Sequence, residues 1–265
     1  MSENPVKHRV GAVSYLNTVP LVWGMLHGPQ SEEVELSFSI PSACAREVEE
    51  DKTHIGLVPV AEIARLGLEA LPGVGITCLG AVRSILLFAR VPWRQVRVLA
   101  ADLSSRTSIQ LALVILRERY GAEPQAIQMR PVLGEMLATG ADAALIIGDP
   151  ALTIDPDETG LEWLDLGMEW FSLTQLPMVF AAWAGKPGIP VEALTALTRN
   201  SYHFGKSRLP DIIDAEHPKR RISRELADRY LRDHIRFEIG PAEQRGLEVF
   251  LELARLRQPG LAQRA

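Results

Sequence analysis

The chain has 265 residues, 47% of them apolar, and 28 basic against 33 acidic side chains give a formal net charge of −5. A chain of this size makes one large domain or two small ones, with enough core to enclose a small-molecule cleft. The negative balance disfavours a nucleic-acid partner, and no apolar stretch reaches the roughly 20 residues a membrane helix needs.

Met1–Val10 carries no charged-then-apolar leader, so a cytoplasmic location is expected. Arg9–Val13 reads as a short strand that breaks into the polar turn Ser14-Tyr15-Leu16-Asn17-Thr18, and Pro20 opens a helix to Leu26. Glu35–Ile40 alternates as a strand does. A helix follows from Pro41 to about Asp51, then the buried strand Ile55–Val58 and the helix Val60–Leu66. Val74–Leu79 and Ser84–Arg90 read as two more strands. After Pro92 the alternation restarts with strand Val96–Ala101, a polar loop, and a helix from about Thr107 to Tyr120 that Gly121 stops. Gln125–Arg130, Ala143–Ile147, Leu161–Leu166 and Met178–Ala184 are expected strands, with a short helix over Leu133–Thr139. The remainder reads as helices over Pro190–Phe204, Ser223–Ile235 and Pro241–Leu256. The charged stretch Arg208–Arg221 reads as a surface excursion. Cys44 and Cys78 lie in apolar surroundings and read as buried thiols.

Three polar clusters stand where a buried strand stops and a helix starts, the place where open α/β sheets bind ligands and where free N–H groups attract anions. Ser14-Tyr15-Leu16-Asn17-Thr18 offers hydroxyls, a phenol and an amide, and reads either as a helix cap with a core tyrosine or as a ligand site. Ser104-Ser105-Arg106-Thr107-Ser108 sets four hydroxyls and a guanidinium at a helix start. It suits a carboxylate or phosphate, or else is a cap with a solvated arginine. Gly148-Asp149-Pro150 is a carboxylate at a strand end or a plain Asp-Pro turn. The six histidines have no metal-ligand spacing, and nucleotide, dinucleotide and serine-nucleophile motifs are absent, so no metal and no cofactor is expected.

The segment Val10-Gly11-Ala12-Val13-Ser14-Tyr15-Leu16-Asn17-Thr18-Val19-Pro20-Leu21 resembles the start of the chorismate dehydratases of the futalosine route to menaquinone. The resemblance continues in register through Gly56-Leu57-Val58-Pro59-Val60, Val82-Arg83-Ser84 and Ser104-Ser105-Arg106-Thr107-Ser108. It goes on with Ala144–Pro150 and Asp165–Trp183, the latter including Thr174-Gln175-Leu176-Pro177. It implies an α/β fold like the type 2 periplasmic solute-binding proteins: two lobes with a ligand cleft between them. Lobe one would be residues 1–89 plus 185–265 and lobe two 90–184, with crossovers near 90–92 and 184–187.

The implied activity is that of a lyase, removing water from the dianion chorismate to give 3-[(1-carboxyvinyl)oxy]benzoate. On that resemblance Ser104, Arg106, Thr107 and Ser108 would hold a carboxylate, and Ser14, Tyr15 and Asn17 would orient the ring and the departing hydroxyl. Ser84 and Thr174 would add contacts. The proton acceptor would be Asp149 or the substrate's own enolpyruvyl carboxylate. No histidine lies between His54 and His203, which disfavours the sister activity that splits a cyclic futalosine derivative, and Gln175 replaces an expected glycine. The competing expectation is a solute-binding protein of the same fold that captures a small anion without chemistry. The oligomeric state stays open.

Overall fold

The computed structural model describes residues 7–102 and 106–255. The chain opens with β1 (His8–Val13), a 3-10 turn over Leu16–Thr18 and α1 (Val19–His27), then β2 (Val34–Ser39), α2 (Pro41–Glu49), β3 (Ile55–Pro59) and α3 (Val60–Leu66). β4 (Glu69–Cys78) and β5 (Ile85–Ala89) come next, then β6 (Val98–Asp102), α4 (Arg106–Tyr120), β7 (Gln125–Met129), α5 (Leu133–Ala138) and β8 (Ala143–Ile147). α6 (Asp149–Leu152), β9 (Glu162–Asp165), α7 (Leu166–Thr174) and β10 (Met178–Gly185) lead to α8 (Val191–Ser207), α9 (Leu209–Glu216) and α10 (Arg224–Arg229). β11 (Arg236–Ile239) and α11 (Pro241–Leu253) end the described chain.

These strands form two sheets, one in the order β11-β4-β10-β3-β1-β2 and the other β7-β6-β8-β5-β9. The fold is α/β with two lobes, as expected. β3, β5 and β8 are buried at every position, which is why they read as unbroken apolar runs: helices or neighbouring elements cover both faces. α11 lies against β10, and its Phe250 meets Trp170 of α7 edge-to-face at 6.0 Å. The apolar stripe of the last helix therefore covers the core. Both cysteines are free and buried, and burial pushes the Cys44 thiol up to about 12.

The crossovers differ from expectation by one strand. β5 pairs with β8 and β9, and so belongs to the second sheet; β10 pairs with β3 and β4, and so belongs to the first. The chain thus changes sheet within residues 79–84 and again within 166–177. The restart at Pro92 marks only a 3-10 turn (Trp93–Gln95) between two strands of one sheet. The first crossover is held by Asp165, which caps α7. Its carboxylate accepts from the N–H groups of Gly167 and Met168 on its own helix and of Val82 and Arg83 across the turn, at 2.6–3.1 Å. Those bonds help keep Arg83 at φ 62°, an uncommon backbone state for a residue with a side chain. Its guanidinium then reaches the carbonyls of Ala151 and Ile154.

Four further elements differ from the sequence reading. Residues 208–221 are no loose excursion: α9 buries Leu209, Ile212 and Ile213. α7 and β11 have no counterpart among the expected elements. The expected helix over Ser223–Ile235 stops at Arg229 and continues as one π-helical turn, Tyr230–His234. Among the described residues no helix is long and apolar enough to cross a membrane.

Candidate functional site

A narrow, partly open cleft lies where the two sheets meet, the kind of place where small-molecule sites form. Strand ends and helix starts build it. Val13 closes β1, Pro59 closes β3, Ile85 opens β5, Ile147 and Gly148 end β8, and Phe180 and Ala181 come from β10. The walls are mostly apolar. Five neutral polar side chains interrupt them: Tyr15, Asn17, Thr18, Ser84 and Ser108. No described lining residue carries a carboxylate, an imidazole, an amine or a guanidinium. The hydroxyl of Thr18 is buried and has no hydrogen-bond partner among the described residues. A buried hydroxyl without a partner costs roughly 1–3 kcal/mol.

Asn17 and Ser84 are joined through a residue that the sequence reading does not single out. The Asn17 amide donates to the Tyr230 hydroxyl at 3.0 Å, and that hydroxyl donates to Ser84 Oγ at 2.9 Å. Tyr230 is fully buried, and burial pushes its phenol well above the ordinary tyrosine range.

The remaining expected residues sit around the cleft and not on its walls. Asp149, one residue past Gly148, points away from the lining. One carboxylate oxygen accepts from the Leu16 N–H at 2.9 Å and the other from Arg220 Nε at 3.0 Å. Burial raises its pKa despite both partners, and the neighbouring Glu216, itself bound by Arg220 and Lys219, adds to that rise. Arg106 does not line the cleft; its Nε lies 2.8 Å from Glu62 Oε1, a buried carboxylate of α3 that Arg65 also grips. Thr107 accepts from the Ala61 N–H at 3.1 Å, so its hydroxyl serves one of the free donors at the start of α3. Ser14 is exposed, and its N–H donates to the Ser39 carbonyl. Thr174 donates to the Trp170 carbonyl and accepts from the Leu176 N–H, closing the end of α7. Ser104 lies outside the described residues. Gln175, in the glycine position of its motif, sits at φ 58°, which is the backbone state a glycine would serve there.

These bonds run between the lobes. Asp149 to Leu16 and Arg220, Thr107 to Ala61 and Arg106 to Glu62 tie the second sheet's helices to the first sheet's turns around the cleft's margin. The Tyr15 ring lies over Gly148, whose backbone is at φ 66°, ψ −148°. Among the described residues no group of three or more histidine, cysteine or acidic side chains is placed to hold a metal ion.

A chorismate dehydratase of Thermus thermophilus is 28% identical over 263 residues, covering 92% of this chain and 93% of that protein. In structure the chain is similar to protein AF1704 of Archaeoglobus fulgidus, with a TM-score of 0.75 at 17% identity, covering 94% of this chain and 97% of that one. It is also similar to the periplasmic aliphatic sulphonate-binding protein SsuA of Escherichia coli, with a TM-score of 0.62 at 14% identity, covering 98% and 95%. Both likenesses agree with the periplasmic-binding-protein architecture of the two sheets. A family model described as menaquinone biosynthesis matches residues 8–256, and with the curated relative across the same span the chain belongs to the menaquinone-biosynthesis family, among the relatives of the chorismate dehydratases.

Proposed function

We propose that the chain is a cytoplasmic chorismate dehydratase that eliminates water from chorismate to give 3-[(1-carboxyvinyl)oxy]benzoate. The observation that carries this reading is the lining itself: an apolar slot interrupted by neutral polar residues, Asn17 and Ser84 among them, and no side-chain carboxylate or imidazole among the described lining residues. Such a wall orients a ring and binds a departing hydroxyl, and it leaves the proton acceptor to the substrate.

The chemistry then balances within one molecule. The enolpyruvyl carboxylate takes the ring proton, and the C–H electron pair becomes a ring double bond. The neighbouring C–O bond breaks with its pair on oxygen, and the proton passes to that oxygen to leave as water. The ring becomes aromatic and nothing is oxidised or reduced. Positioning is the enzyme's main contribution, and effective molarities of about 10⁵ M or more are available to a well-aimed intramolecular base. Ser84 and Asn17 hold the departing hydroxyl, and Tyr15 flanks the ring. Ser108, at the start of α4, meets a substrate carboxylate there, where the helix dipole favours negative charge. Arg106 adds positive potential beside it, with Glu62 as its competitor for the guanidinium.

The test is incubation with chorismate, then mass-resolved product analysis. The expected result is a product one water lighter than chorismate, with aromatic absorbance, formed over many turnovers. The kinship in fold with a sulphonate-binding protein favours the second reading, anion capture without chemistry. Saturable binding with no product would establish it and overturn the first.

A further inference from the structure

Tyr230 does not itself line the cleft, yet it is the one described residue bonded to both Asn17 and Ser84 on the cleft wall. Its place in the chain is unusual. It opens the π-helical turn Tyr230–His234, and such turns recur at functional sites because they re-aim side chains that an α-helix would send elsewhere. Here the turn aims two side chains at the first crossover: Tyr230 at Ser84, and His234, whose Nδ1 lies 3.2 Å from the Ala81 carbonyl oxygen. The C-terminal segment thus reaches into the seam where the chain passes between sheets.

The direction of the bonds matters more than their number. A tyrosine hydroxyl has one hydrogen; with its oxygen accepting from the Asn17 amide, Ser84 Oγ at 2.9 Å is the acceptor in reach of that hydrogen. Ser84 therefore accepts from Tyr230 and keeps its own hydrogen for the cleft. Asn17 spends one amide hydrogen on Tyr230 and is fixed in orientation, with its second N–H and its carbonyl left to face the substrate. We propose that Tyr230 is a positioning residue for the dehydration, setting Ser84 as a donor and Asn17 in a single orientation toward the hydroxyl that leaves. This inference rests on the reaction proposed above. Tyr230 has to stay protonated to act so, and its burial ensures that across the working pH range.

Tyr230→Phe keeps the ring in its packing and deletes only the hydroxyl. We expect kcat for chorismate to fall about 10–100-fold, the range usual for loss of a group that orients a contact residue, with KM within about threefold of wild type. A purely structural tyrosine would lower the melting temperature and leave kcat within about twofold, and that result overturns the proposal. If the phenylalanine variant does not fold, 3,5-difluorotyrosine inserted at position 230 decides. It has nearly the same shape and a more acidic phenol, so kcat should fall at an alkaline pH where the wild-type enzyme is still level; a profile identical to wild type overturns the proposal. The two failures are distinguishable. A wild-type chain that leaves chorismate unchanged ends the reaction and this role together, whereas wild-type turnover with an undisturbed Tyr230→Phe enzyme ends the role alone.

Discussion

Gly148→Ala is expected to lower kcat/KM for chorismate by about 100-fold or more, the penalty of misplacing a contact group by an ångström or so. Two independent costs meet at this residue. Its backbone, φ 66° and ψ −148°, lies in a region that only glycine enters freely, and a side chain there costs roughly 1–3 kcal/mol. An added Cβ would also stand 2.6 Å from Cζ of Tyr15 and 2.7 Å from both Cε atoms, so the ring has to leave. Tyr15 shares its turn with two anchored neighbours: the Leu16 N–H is bonded to Asp149, and Asn17 to Tyr230. Moving the ring therefore drags the turn that lines the cleft. The strain alone corresponds to a fall in Tm of about 5 °C, at 2–4 °C per kcal/mol for a chain of this size. Pairing the substitution with Tyr15→Ala separates the two costs. The double variant relieves the clash and keeps the strained backbone, so its Tm should lie above the additive value while activity stays low. A Gly148→Ala enzyme with wild-type Tm and turnover would show that neither cost operates.

The same residues show how much of the site is legible in the sequence. Ser14–Thr18 and Gly148-Asp149-Pro150 stand where buried strands stop, and a buried strand that stops at a polar cluster marks a ligand-facing end without any knowledge of the partner strand. That signal reaches Asn17, Tyr15 and Ser108, and all three line the cleft, as does Ser84, which enters only through the family resemblance. The hidden part depends on pairing at long range. Arg106 among four hydroxyls reads as an anion holder because spacing cannot reveal Glu62 of another helix across the seam. Arg220, in a charged run with two prolines, reads as solvated, yet its side chain is only 13% exposed and spans Asp149 and Glu216. Tyr230 looks like one more apolar position on an amphipathic helix; the π-helical turn that aims it at Ser84 has no local signature. The expected crossovers are displaced because β5 and β10 are apolar strands like their neighbours, and sheet membership is decided by hydrogen-bonded partners, not by composition.

Asp149→Asn is the change that separates positioning from base catalysis. Both carboxylate oxygens accept, one from Leu16 N–H and one from Arg220 Nε. An asparagine offers one acceptor and one donor, so one of those two donors would face an N–H. Losing a charge-assisted bond of this kind costs about 1.5–3 kcal/mol. The contact crosses the lobes, so we expect Tm to fall, KM to rise and kcat to drop by about tenfold, against the 10²–10⁴-fold typical of a missing general base. Acid stability gives a second signature. Burial raises the folded-state pKa of Asp149 above its unfolded value. Between the ordinary carboxylate range and that raised value the folded chain holds a proton the unfolded chain has released. Stability due to this group therefore decreases as pH rises through the window and is level above it. The asparagine variant cannot titrate there, so the gap in stability between it and wild type should be widest below the window and narrow to a constant above it. Denaturant unfolding across that range reads the slope directly. A variant with wild-type stability and chorismate affinity but no turnover would make Asp149 the base and remove the substrate carboxylate from that role.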